Sequence, residues 1–208
     1  MNWFVFSLIS MLSFVGYSLL LKTAVSNHKM PPVAFLAFSK LIAAVFFLPL
    51  MIWEPIRFPN SLLIWLIMAI SILIWAIGNI FDVKSYRLTE VSHISLIKSL
   101  SPILTLFIGF AVFGEVFSPL KIIGTILIVF GIGLLYFHKN LVKLDQGKKI
   151  QFLATFVMSI GICFDKFLLN YFSPAFYLFI GFLGIPITML ILQKKAAGKI
   201  LNLVRSQN

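Results

Sequence analysis

The sequence predicts an all-α integral membrane protein, a polytopic bundle of about seven transmembrane helices. Apolar residues make up 61% of the chain and charged residues only 11%. A soluble domain of this size would leave much of that apolar surface exposed. The apolar residues also form runs of about 20 residues, enough to cross about 30 Å of hydrocarbon as a helix. These runs are about twice as long as the strands of a membrane barrel, so helices are expected throughout.

Seven such runs follow one another along the chain. The first lacks a basic N-terminal region and a small-residue cleavage site, so we predict that it spans the membrane and is not a removed signal. Pro49, Pro102 and Pro186 fall inside runs and are expected to kink them. The predicted spans are residues 2–21, 33–53, 61–81, 91–113, 119–137, 150–170 and 174–192.

The net charge of +11 is predicted to orient the chain in the membrane. When the connections are assigned alternately to two sides, twelve of the 17 lysines and arginines fall on one side and two on the other. The positive-inside rule then places the N-terminus outside and the C-terminal tail in the cytoplasm, with the protein in the cytoplasmic membrane. Because these charges lie at the ends of apolar runs, we expect the lipid bilayer as their partner and no nucleic acid.

The runs also repeat in layout, although their residue identity is weak. Laying Phe4 on Phe152 and Lys22 on Asn170 aligns the first two runs with the last two. A unit of five helices has an odd number of spans, so a second unit enters the membrane inverted, as in secondary transporters. We therefore expect residues 1–137 to form a five-helix repeat. Residues 150–208 are expected to form a partial inverted second repeat, with two helices and a polar tail.

The fourth and fifth runs carry a family resemblance. They hold a Ser-Pro pair inside one run, a Gly-Glu pair at its end and glycines in the next, namely Ser101-Pro102, Gly114-Glu115, Gly124 and Gly131. This order resembles the fourth and fifth helices of an EamA-type unit of the drug/metabolite transporter (DMT) superfamily. Lys40 stands where members often carry a basic residue. The resemblance implies carriers of small metabolites or drugs, typically with ten helices in two units.

Two functions follow as hypotheses. The first is a DMT-type secondary carrier that moves a small organic metabolite or drug across the membrane, and an anionic substrate is part of this hypothesis. With about seven of ten helices, the chain is expected to be truncated, so the alternative is a non-transporting membrane protein or a helical subunit that associates with a partner. A homodimer is possible. The three histidines are scattered, and no catalytic constellation is present, so we expect no metal, no cofactor and no enzymatic activity.

The candidate substrate-binding residues are polar groups inside spans, where charge is costly and usually functional. Lys40 and Lys98 each lie about 10 Å in from the same side, and together they could bind a carboxylate or a phosphate. Alternatively, each flexible stem lets its charge reach the headgroups. Polar residues on the Lys98 face and in the third span could line the same path; they are Ser95, Ser99, Asn79 and Trp75. Trp75 and Asn79 could equally serve packing.

Other positions are assigned coupling or structural roles. Asp165 is a proton-coupling candidate, because a carboxylate inside a span can take up a proton; an interfacial charge that orients the helix is the alternative. Pro102 is expected to kink the fourth helix, and Glu115 to bond across the tight turn that follows it. Gly124 and Gly131 are expected to allow close helix approach.

Overall fold

The computed structural model describes residues 3–26, 31–114, 118–138 and 145–193. Every regular element within these ranges is an α-helix, which confirms the predicted all-α class. Glu115 and most of the C-terminal tail lie outside the described residues. The helices are α1 (Trp3–Ser26), α2 (Pro32–Phe47), α3 (Leu50–Trp53), α4 (Leu62–Leu88), α5 (Val91–Lys98), α6 (Ser101–Phe113), α7 (Pro119–His138), α8 (Gln146–Leu168) and α9 (Pro174–Leu192).

Six apolar segments in the described chain are long enough to cross a membrane, and α7, with 20 residues, occupies the remaining predicted span. Two of the six are interrupted where proline was expected to act. The second span breaks into α2 and α3 before Pro49, and the fourth breaks into α5 and α6 before Pro102. Proline lacks the N–H that would continue the ladder and crowds the preceding turn. Pro186, in contrast, lies inside an uninterrupted α9.

Two predicted connections are partly helical, which corrects the sequence-based boundaries. Helix α4 continues to Leu88, so Asp82, expected in a loop, lies inside a helix and is 5% exposed. Helix α8 begins at Gln146, earlier than expected, because Asp145 caps it: its carboxylate accepts a hydrogen bond from the Lys148 backbone N–H at 2.8 Å. Such a cap satisfies an amide that the first turn otherwise leaves unpaired.

The bundle is centred on two helix pairs, α4 with α8 and α2 with α9. Glycine allows α4 to approach α8 closely at Gly78, Gly147 and Gly161, and α9 at Gly184, because a Cβ at each of these positions would lie 2.8–2.9 Å from an atom of the opposing segment. At Gly124 and Gly131 a Cβ would meet nothing within 4 Å. The close helix approach predicted for those two positions is therefore not made within the described chain, since α7 has no extensive contact with its other helices.

Polar contacts between distant segments fix the ends of several helices. The Lys22 ammonium of α1 donates to the carbonyls of Tyr86 (2.6 Å) and Thr89 (2.8 Å) at the end of α4. A cation there satisfies carbonyls that have no helical partner and complements the helix dipole. At the other end of the bundle, Glu54 accepts a hydrogen bond from the Ala175 N–H in the first turn of α9, at 2.8 Å.

Candidate functional site

A cavity of about 230 Å³ lies between α2, α4, α8 and α9. Its α4 wall includes Trp75, the middle residue of that 27-residue helix, so the cavity reaches the level where a carrier site is expected. One cation and one carboxylate face a mainly apolar wall. The lining consists of Lys40, Met68, Ser71, Ile72, Trp75, Asp165, Tyr177, Leu178, Gly181, Phe182 and Ile185.

The Asp165 carboxylate is held through one of its two oxygens. Its Oδ1 accepts hydrogen bonds from the Tyr177 hydroxyl at 2.5 Å, the Trp75 indole N–H at 2.9 Å and the Ser71 hydroxyl at 3.5 Å. The Trp75 ring fits there because Gly161, one turn before Asp165 on α8, has no side chain. Its Oδ2 makes no hydrogen bond with any described residue and is left for a solute or a proton.

The Lys40 ammonium is the cation of the cavity. It lies 5.0 Å from the centroid of the Phe182 ring, in position for a cation–π interaction. That ring is itself stacked on Phe47, with centroids 5.4 Å apart. Within the described parts of the chain, Lys40 has no hydrogen bond and no ion pair. Its charge is thus positioned by an aromatic face and remains open to an anionic group.

Lys98 does not line this cavity and is engaged elsewhere. Its ammonium lies 2.9 Å from Asp82 Oδ2 and donates to the Tyr86 hydroxyl at 3.3 Å. The rings of Tyr86 and Phe14 lie 5.0 and 5.5 Å from it. The sequence-based anion site contained two unpaired lysines; the structure supplies Lys98 with a counter-ion that the sequence interpretation had placed in a loop. Apolar residues recur past Asp82 at Val83 and Tyr86, about one helical turn apart, which was the signal that the helix does not end there.

The remaining predicted site residues lie away from the cavity. Asn79 is buried, and its side-chain amide donates to the Trp75 carbonyl at 2.7 Å. Ser99 donates to the Leu96 carbonyl at 2.6 Å, and Ser95 is exposed. The helical face on which Ser95, Lys98 and Ser99 were expected to lie is interrupted, because α5 ends at Lys98. Their substrate-binding role stays a prediction.

The structure brings Lys40, Trp75 and Asp165 together from three helices, although the sequence interpretation treated them separately. It adds Ser71, Tyr177 and Phe182, which were not identified. Ser71 lies one helical turn before Trp75 on α4, a spacing that places both on one face and could have indicated it. Tyr177 and Phe182 gave no comparable signal, because they are aromatic residues in a uniformly apolar run.

The fold and this site define a class: a polytopic helical membrane protein with a charged and aromatic cavity at the level of the bilayer. The model of the EamA-like transporter family matches residues 1–137, about two thirds of the 208 residues. The chain therefore belongs to the EamA-like transporter family, as the resemblance indicated. Comparisons with curated proteins and with solved structures give no match. Family membership points to a DMT-type membrane transporter and not to an enzyme.

Proposed function

We propose that the chain is a secondary carrier that moves a small organic solute with an anionic group across the cytoplasmic membrane. The cavity between α2, α4, α8 and α9 is its binding site. The observation that carries this proposal is the Lys40 ammonium, which faces the cavity with an aromatic ring as its neighbour and no counter-ion among the described residues. A charge inside a membrane span is costly, and it is retained where it pairs or functions.

The rest of the cavity suits the same kind of solute. Met68, Ile72 and Ile185 provide an apolar wall, and Trp75 and Phe182 provide aromatic faces. Ligand sites are typically apolar with a few fixed polar groups that orient the ligand. Asp165 Oδ2 can accept a hydrogen bond from a polar group of the solute or carry a coupling proton.

The orientation and the repeat organisation belong to the same proposal. The excess of lysine and arginine on one side supports a cytoplasmic C-terminal tail. The match of the family model to residues 1–137 supports a first five-helix repeat with that boundary, and α8 and α9 then begin a second, inverted repeat. Inverted repeats with a site at their interface are the usual design of secondary carriers. A homodimer stays a prediction.

Transport by the purified chain tests the proposal. Lipid vesicles containing the protein would be incubated with a mixture of small carboxylates and phosphates, and the accumulated solutes identified by mass spectrometry. We expect one or more anions to accumulate above the level in protein-free vesicles. Lys40→Gln should reduce the apparent affinity about tenfold to a hundredfold, since a hydrogen bond to a charged group contributes about 1.5–3 kcal/mol.

The matched control is Lys121→Gln, which removes an exposed lysine in the first turn of α7. It should transport as the wild type does. If no solute accumulates in any vesicle, the carrier proposal fails and a non-transporting membrane protein becomes the better description. If Lys40→Gln and Lys121→Gln behave alike, the cavity is not the anion site.

A further inference from the structure

In the buried ion pair of Asp82 and Lys98, only one of the two carboxylate oxygens of Asp82 has a hydrogen-bond partner among the described residues. The two side chains are 8% and 17% exposed, and Asp82 Oδ2 accepts the hydrogen bond from Lys98. Asp82 Oδ1 is buried and has no hydrogen-bond partner among the described residues. Two other buried side-chain oxygens share this state, on Thr105 and Ser173, but neither carries a charge. A buried carboxylate oxygen without a donor is costly, and such an atom calls for a ligand.

The ligand that fits Oδ1 is a proton. A metal cation such as Na⁺, Mg²⁺ or Ca²⁺ takes several oxygen ligands, whereas this position offers one unpaired oxygen. A proton needs a single lone pair. Protonation converts the carboxylate to the neutral acid, with one O–H bond formed and none broken. Lys98 keeps its charge and loses its counter-ion.

The groups around Asp82 show what then follows. Its own helix contributes the Tyr86 hydroxyl, α5 contributes Lys98, and α1 contributes Tyr17, whose hydroxyl is within electrostatic range of Asp82. Lys40 of α2 is within electrostatic range of both Asp82 and Lys98. Helix α8 contributes the side-chain amide of Gln151, which is hydrogen-bonded to Ser85. The carboxylate of α8, Asp165, is held at the cavity by the Tyr177 hydroxyl of α9.

We propose that Asp82 is a proton-binding site that releases Lys98 to join Lys40 in binding the anionic group of the solute. This inference rests on the proposed carrier function, and it adds that a proton and the anionic solute bind together. While Asp82 is ionised, Lys98 pairs with it and only Lys40 is open to an anion. Once Asp82 is protonated, the two lysines have no counter-ion, and an anion compensates them. One proton and one monoanion therefore bind as a unit, with no change in net charge.

Infrared difference spectroscopy on the protein in lipid vesicles tests the first step. On stepwise acidification, we expect a protonated-carboxyl band of Asp82 in the wild type. The band should be absent in Asp82→Asn and should persist in Asp165→Asn. Asp82→Asn leaves Lys98 unpaired and can impair folding, so the double variant Asp82→Asn/Lys98→Met, which removes both charges, provides a second test and should also lack the band.

Benzoate is the probe for the second step. Calorimetry in two buffers of different ionisation enthalpy gives the number of protons taken up per benzoate bound. We expect about one in the wild type and in Asp145→Asn, a control carboxylate outside the bundle, and about zero in Asp82→Asn. A wild type without a titrating band, or one whose band is lost in Asp165→Asn and not in Asp82→Asn, overturns the proposal. Benzoate binding without proton uptake overturns it as well.

The two proposals fail in different ways. The infrared band does not depend on transport. A chain that titrates at Asp82 and carries no solute contradicts the carrier proposal alone. A chain that carries anions without titration at Asp82 contradicts the proton-binding proposal alone.

Discussion

Gly161→Ala tests whether the Trp75–Asp165 contact depends on the close packing of α4 against α8. A Cβ at position 161 would lie 2.9 Å from both Cε2 and Nε1 of Trp75 and 3.2 Å from its Cδ1. Carbon atoms in ordinary contact are about 3.5–4.0 Å apart, so the indole ring must move by at least about 0.6 Å. The ring carries the indole N–H that donates to Asp165 at 2.9 Å, so this hydrogen bond is displaced with it.

The expected cost has two parts. An extra methyl group in a packed interior typically costs about 1–3 kcal/mol. The hydrogen bond to the carboxylate is worth about 1.5–3 kcal/mol, of which a shifted ring keeps only a part. We therefore expect Gly161→Ala to lower the free energy of unfolding by about 2–4 kcal/mol. Solute affinity should fall with it, because Asp165 loses one of the donors that hold it in the cavity.

The measurement is reversible unfolding in mixed detergent–lipid micelles, with solute binding measured on the same samples. Gly181→Ala is the matched control, because Gly181 also lines the cavity but a Cβ there would meet nothing within 4 Å. It should be close to the wild type in stability. If Gly161→Ala is as stable as Gly181→Ala and binds solute equally well, the packing of Trp75 against α8 does not position Asp165, and the reasoning is refuted.

Two further predictions concern helix ends. Asp145→Ala should lower the free energy of unfolding by about 1 kcal/mol at neutral pH through loss of the α8 cap. The Lys148 backbone N–H that donates to Asp145 lowers the pKa of that carboxyl below its ordinary value of 3.8. The stability that the cap contributes is therefore present above pH 3.8 and is lost as the pH falls through the lower, folded-state pKa. In a pH series of unfolding measurements, the wild type should lose this contribution in acid, whereas Asp145→Ala should not. Lys22→Met should increase hydrogen exchange at the α1–α4 contact, because the last carbonyls of α4 lose their cation; exchange no faster than in Lys121→Met would contradict this role.

Most of the architecture could be predicted because hydrophobic length is a local property of the sequence. The runs of about 20 apolar residues indicated the spans, and Pro49 and Pro102 indicated the two breaks. Asp82 shows the limit of that reasoning. A carboxylate after an apolar run usually marks a loop, and it remains in the helix here because Lys98, 16 residues later, neutralises it. The sequence showed both residues but not that they meet.

Tertiary contact decided the parts of the site that the sequence could not place. Gly124 and Gly131 were expected to allow close helix approach because small residues do so in membranes, yet glycines elsewhere, such as Gly78 and Gly161, are approached by a neighbouring helix. Which glycine is approached depends on which helix lies opposite, and that information is not local. In the same way, Trp75 and Asp165 lie 90 residues apart in the chain and become one site only when α8 packs against α4.

The contact between Glu54 and Ala175 has a consequence for how the protein is made. Synthesis proceeds from the N-terminus, so the segment ending in Glu54 enters the membrane well before Ala175, 121 residues later, leaves the ribosome. The first-turn amide of α9 has no partner within its own helix, and hydrocarbon offers it none. Glu54 is already in place as that partner. The last described helix, α9, therefore docks on a carboxylate that was synthesised earlier. This contact couples the completion of insertion to the docking of α9 against the earlier part of the bundle.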